Sequence, residues 1–279
     1  MTKNTNQQKN TSTKINGRTV ALFNILIVLG IMVLICVIAL VILMKDWDGE
    51  GFDAVTKEIS EMEQPNEANI AEGGKLIFFI GNSVTYHGKK EGVWYGEWGM
   101  AASSKDTDYV AVTTRLLSEK LGVPVTNERV NMADWELDDK GDRTGYLARL
   151  DKYLKNNPDY VVIELGENTP SKDHFKEDYI AMVKYIRKKC PDAIIANLGQ
   201  CINFNSVDAL KEEIAGEVDL RFVKTSDICE KDGYKAGTGV TYMGVDNIEH
   251  EIDNEDVGKH PGDKGMQVIG ERLVKALTE

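Results

Sequence analysis

Cysteine is scarce and dispersed in this sequence: four in 279 residues, at Cys36, Cys190, Cys201 and Cys229. The spacing excludes a disulfide-stapled miniature domain and the paired thiols of a zinc module. With Cys36 inside an apolar run, at most one bridge can form among the other three. Positive charge is also in deficit. There are 33 Lys and Arg against 45 Asp and Glu, a net charge of −12, which argues against nucleic acid as a partner. Histidine is limited to four residues, so a general base working near neutral pH has four candidates, His87, His174, His250 and His260. No internal repeat is present.

Charge is absent altogether from residues 20–44, where Asn24 is the only strongly polar side chain. At about 1.5 Å per residue such a helix reaches across a hydrocarbon core of roughly 30 Å with some tilt. The run is too long for a signal-peptide h-region and no Ala-x-Ala-like cleavage site follows it. The sequence therefore predicts a transmembrane helix over 19–44 behind a tail at 1–18. Lys3, Lys9, Lys14 and Arg18 precede it, whereas Lys45 is followed by Asp46, Asp48 and Glu50. The positive-inside rule then places the amino terminus in the cytoplasm and the rest outside. Those four cations are the only charges in the first 44 residues, so the remainder carries −16. Membrane lipid is thus an expected partner only through the helix. Residues 45–73, with no sustained period, read as a stalk, and 74–279 as the outer domain.

Within that domain apolar runs alternate with amphipathic stretches. Strands are predicted at 76–80, 123–130, 160–165, 193–198 and 220–224, and helices at 109–121, 144–154, 171–190, 206–215 and 264–277. Strands alternating with helices imply an α/β fold with a parallel sheet and right-handed crossovers. Residues 240–242 read as a hairpin element. The acidic stretch from Asp134 to Asp142 has Asp134, Glu136 and Asp138 at EF-hand spacing, but Asp139 stands where that loop needs Gly. It reads as a solvated loop, not a metal site.

The first strand runs into Gly81-Asn82-Ser83-Val84-Thr85, which places a hydroxyl at a strand's carboxyl end, where open α/β sheets bind ligands. Three further blocks follow in order: Asn131-Met132-Ala133, Gly166-Glu167-Asn168, and Asp256-Val257-Gly258-Lys259-His260-Pro261. The ordered set resembles the SGNH hydrolases, the GDSL-like esterases, lipases and acyltransferases, over roughly residues 74–279. Asn82 stands where Asp is commoner and Ala133 where Gly is usual. The resemblance implies a three-layer α/β/α domain on a five-stranded, flavodoxin-like parallel sheet, and an enzyme with no metal or cofactor.

It also implies roles. Ser83 would be the nucleophile of a serine esterase and His260 its base, with oxyanion donors in the Ser83 and Ala133 N–H groups and the Asn168 amide. The orienting carboxylate is less settled. The family's Asp lies three residues before the His, but here that position is Val257. Asp256 is the expected orienter through a bulge at Gly258; Glu255, or a backbone carbonyl in a Ser–His dyad, would serve otherwise. Trp94 and Trp98, in the Gly-rich stretch at 88–100, are expected either to form a substrate-binding lip or to pack that stretch down. The expected substrate is an acylated small molecule or an O-acyl group on a surface glycan. The alternatives are an O-acyltransferase using the same residues and a glycan-binding or scaffold module without catalysis.

Overall fold

In the computed structural model of the protein the described residues are Ala54, residues 56–59, Met62, and 69–279 except 140–141, 203–206 and 232. The chain divides into Met1–Gly51 and Phe52–Glu279, and all that follows concerns the second unit. The predicted membrane span at 19–44 lies outside the described residues; among those described, no helix is long and apolar enough to cross a membrane.

Five strands form a wholly parallel sheet: β1 (Lys75–Gly81), β2 (Val125–Asn131), β3 (Tyr160–Glu164), β4 (Ile194–Leu198) and β5 (Arg221–Val223), in the order β2-β1-β3-β4-β5. The strand runs lack alternation because both faces are covered. Ile77 and Phe79 of β1 point into one core layer, with Tyr109, Met266 and Ile269, while Phe78 and Ile80 point into the other, with Trp135, Phe175 and Tyr179. The first layer is roofed by α1 (Tyr109–Leu121) and the final helix. The second is roofed by the short α2 (Ala133–Leu137), the 3-10 segment Arg143–Leu150 with α3 (Asp151–Leu154), α4 (Phe175–Lys189) and α5 (Val207–Glu217).

The chain leaves β1 toward β2 on one side and returns to β3 on the other. The carboxyl ends of β1 and β3 therefore bound a crevice at the point where the strand order reverses. Beyond β5 come α6 (Ser226–Glu230), an antiparallel pair β6 (Thr241–Met243) and β7 (Glu249–Glu251), α7 (Glu255–Gly258) and α8 (Asp263–Thr278).

One sequence expectation gains detail and another is corrected. The stretch read as a stalk contains, among its described residues, a helical turn at 56–59 that packs on the domain: Ile59 is buried, and Glu58 contacts His87 at 3.3 Å and Lys90 at 2.6 Å. The first part of the acidic stretch after β2 is not solvated loop but the buried helix α2, where Trp135 fills the core beside Asp134 and Glu136; Asp139 and Asp142 beyond it are exposed as expected.

Helix α8 shows how closely the layers meet. It buries Met266, Ile269, Gly270, Leu273 and Leu277 along one stripe. A Cβ on Gly270 would lie 2.5 Å from Val112 Cγ1 and 3.2 Å from the Thr113 nitrogen of α1. Gly270→Ala would gain about 1 kcal/mol of helix propensity, but overpacking against a β-branched side chain and backbone costs about 1–3 kcal/mol. Urea unfolding followed by tryptophan fluorescence should therefore show Gly270→Ala no more stable than wild type, and less stable by up to about 2 kcal/mol; a gain would mean that the two helices separate freely.

Candidate active site

The turn that carries Ser83 is shaped by small residues and by backbone bonds. Gly81 ends β1, and a Cβ there would overlap Thr85 Oγ1. The Thr85 and Tyr86 nitrogens both bond back to the Asn82 carbonyl at 3.0 Å, so the chain coils directly after the strand and lifts Ser83 to its tip. From the far side of the following loop, the Met100 N–H donates to the Ser83 carbonyl at 2.8 Å.

Ser83 and His260, 177 residues apart, meet: Ser83 Oγ lies 2.9 Å from His260 Nε2. His260 follows α7, whose first turn is capped by Asn254 Oδ1 accepting from the Asp256 and Val257 nitrogens. At the other end the helix tightens. The His260 N–H bonds to the Val257 carbonyl at 3.0 Å, three residues back, which leaves the Asp256 carbonyl free. The imidazole takes that carbonyl, with Nδ1 2.9 Å from Asp256 O. A carbonyl only accepts, so Nδ1 carries the proton and Nε2 presents its lone pair to Ser83. Burial pushes the imidazole down to about 4, so it is neutral at ordinary pH and ready to accept a proton.

The expected role of Asp256 is corrected accordingly. Its carboxylate points into solvent and pairs with Lys259 at 2.6 Å; what holds His260 is its backbone. Gly258 makes no bulge. It closes α7, with its own carbonyl bonded to the Gly237 N–H at 2.9 Å.

Trp94 and Trp98 are also corrected. Trp94 is fully buried, stacked on Tyr242 at 4.5 Å and edge-on to Trp98, whose Nε1 donates to the Ala102 carbonyl. A pair so packed offers no face to a substrate; it holds the 88–100 loop down. The other histidines lie elsewhere: His87 against Glu58, His250 against Asp246 and Tyr95, and His174 at the start of α4.

Of the expected oxyanion donors, the Ser83 N–H has no acceptor among the described residues. The Ala133 N–H is already engaged by Asn131 Oδ1 at 2.9 Å. Asn168, exposed at the crevice, donates through Nδ2 to Glu136 Oε2 at 2.6 Å and retains a second N–H.

Beneath these groups lies a feature not anticipated from sequence. Glu136 and Glu164 are both buried, and Asn82 Nδ2 sits between them, 3.1 Å from Glu136 Oε1 and 3.3 Å from Glu164 Oε1. Burial raises Glu136 to about 6 and, with the neighbouring carboxylate, holds Glu164 well above its usual range. Asn at position 82 follows from this, because a carboxylate there would add a further acid to a dry cluster, where an amide donates to both Glu136 and Glu164. Glu167 and Cys201 are close to Glu164, their ligand atoms mutually within 4.8 Å. Glu167 Oε1 is occupied by the Cys201 and Ile202 nitrogens, so the group is explained as hydrogen bonding within the fold.

Residues 77–273 match the GDSL-like lipase/acylhydrolase family. The chain belongs to that family and is an ester-hydrolysing enzyme. Its fold is similar to that of TesA (17% identity, 73% of this chain and 98% of that one, TM-score 0.48). It is likewise similar to a two-domain esterase active on acetylated mannans (17%, 74% and 50%, 0.49). A third similar fold is a Corynascus thermopiles carbohydrate esterase family 2 enzyme with its carbohydrate-binding domain (15%, 76% and 68%, 0.47). A comparison with curated proteins gives no match.

Since the Asp256 carboxylate stands in solvent, Asp256→Asn should change kcat/KM for a small activated ester by less than about threefold, in line with the small worth of exposed ion pairs. A loss of tenfold or more would place that carboxylate back on the imidazole.

Proposed function

We propose that this chain is a membrane-anchored, extracytoplasmic serine esterase working through an acyl-Ser83 intermediate. The observation that carries the reading is the 2.9 Å contact of Ser83 Oγ with a His260 whose Nδ1 proton is committed to a carbonyl. Ser83 Oγ attacks the ester carbonyl carbon as its proton passes to His260 Nε2. The Ser83 N–H and the free N–H of Asn168 receive the oxyanion. The imidazolium returns the proton to the departing alcohol, leaving acyl-Ser83. Water then attacks with His260 again as base, and acid and free serine result. With a backbone carbonyl instead of a carboxylate behind it, the imidazolium has weaker support than in a Ser-His-Asp triad.

A fluorophosphonate probe should label wild type at Ser83, and both Ser83→Ala and His260→Ala should lose labelling and ester hydrolysis together. Labelling that survives Ser83→Ala would refute the assignment of the nucleophile.

The uncharged run at 20–44 and the cations before it support an outer catalytic domain, and that location supports O-acyl groups on surface glycans as substrate. Protease added to intact cells or spheroplasts should release the acidic domain. Its protection, with the amino terminus cleaved instead, would reverse the orientation and remove the case for a surface glycan.

A further inference from the structure

We infer that Glu136 is the positioning residue of the oxyanion site, holding the turn at 166–168 so that the Asn168 amide presents an N–H, never its oxygen, to the reacting carbonyl. This rests on the esterase reading above.

The geometry is that of a single buried acceptor with a loop wrapped around it. Glu136 Oε1 takes the backbone N–H of Gly166 and, at 3.0 Å, that of Glu167; Oε2 takes Asn168 Nδ2 at 2.6 Å. Asn82 Nδ2 reaches the same carboxylate from the nucleophile turn at 3.1 and 3.3 Å. One side chain thus ties Ser83's immediate neighbour to all three residues of the 166–168 turn. Gly166 adopts φ +129°, which a side chain would strain, and a Cβ there would lie 2.9 Å from Val207 Cγ2. The turn therefore takes its shape from the acceptor it encloses.

The chemical consequence concerns the amide flip. A primary amide can turn either its oxygen or its nitrogen toward a neighbour. An ionised carboxylate accepts only, so it binds Nδ2 and excludes the flipped state. The second N–H of the same nitrogen is then left uncommitted on an exposed side chain. A protonated Glu136 would carry an O–H able to donate to Asn168 Oδ1. The flip would become admissible, and a carbonyl oxygen would face the developing oxyanion.

Burial raises Glu136 first, against the Gly166 N–H and the Asn168 and Asn82 amides, and Glu167 in the turn adds to it; Glu164 on β3 feels Glu136, Glu167 and the cation of Lys211 on α5, and the two acids in turn raise Tyr179 on α4. Lys211 Nζ donates to the Leu165 and Leu198 carbonyls, so it offsets the acids without pairing with one of them. Burial places the Glu136 titration at about 6 and the His260 titration at about 4.

Two experiments test the role. In the first, kcat for a nitrophenyl ester is measured per fluorophosphonate-reactive Ser83 for Glu136→Gln, Asn168→Ala and the double variant. Removing an oxyanion donor lowers kcat by about 10²-fold. Asn168→Ala should show that loss with KM little changed, Glu136→Gln most of it, and the double variant no more than Asn168→Ala alone. Multiplying losses, or a Glu136→Gln enzyme with wild-type kcat per labelled site, would overturn the role. Should Glu136→Gln not fold, the second experiment decides. The kcat of wild type should fall partially through pH 6, as Glu136 gains its proton, and fully near 4; Asn168→Ala should lack the step at 6. A step that persists in Asn168→Ala would sink the proposal. Wild type that neither labels nor hydrolyses ester would instead overturn the esterase reading, and this role with it; full labelling with a normal Glu136→Gln isolates failure to Glu136.

Discussion

Glu136 is wholly buried, and no ion pair with it is found among the described residues, so hydrogen-bond donors alone have to satisfy its carboxylate. They come from two places that are distant in sequence: the turn after β1 and the turn after β3. This requirement brings Asn82, the neighbour of Ser83, and the Asn168 amide onto one center. The rest of the sheet delivers the chain ends to that center, since β1 and β3 are adjacent and parallel and their carboxyl ends open on the same crevice.

The Ser83–His260 contact depends on a second local constraint. Helix α7 has only four residues, and its tightened end frees the Asp256 carbonyl for the His260 side chain. A longer helix would have used that carbonyl for its own ladder. The loop is held from behind by the segment at 234–237, where the Ala236 nitrogen bonds to the His260 carbonyl at 3.0 Å and the Gly262 nitrogen to that of Tyr234 at 2.9 Å. The imidazole thus has one tautomer and one orientation without a carboxylate. The same burial that depresses its basicity also keeps it neutral, so the site gives up proton affinity in exchange for a base that is always in the accepting form.

Charge behind the crevice is handled differently from charge elsewhere. In the rest of the domain acids meet lysines and arginines, in solvent-screened pairs such as Asp256 with Lys259 and in the buried pair of Asp178 with Arg143. Behind the crevice, Glu136 and Glu164 share an amide instead of a cation, and Lys211 bonds to carbonyls between them and α5. The family's usual Asp at position 82 would not fit such surroundings. The departure to Asn82 therefore belongs with Glu136, and the two are best regarded as one unit.

The strands, their parallel sense, the helix faces and the Ser83 turn were legible in the sequence, because apolar runs, caps such as Asp108 with Gly122, and glycine turns are local signals. His260 was legible through its block and its place before the last helix. The sequence could not show which atom of Asp256 meets the imidazole, since that depends on how the end of α7 closes. Nor could it show that Trp94 and Trp98 face inward, since a loop's aromatics look alike whether they line a crevice or a core, and Tyr242, which decides the matter, arrives from about 150 residues downstream. Glu136 was hidden for the same reason. Among acids in sequence it reads as solvated, and only the packing of Trp135 and the return of the turn at 166–168 turn it into the buried acceptor around which the site is built.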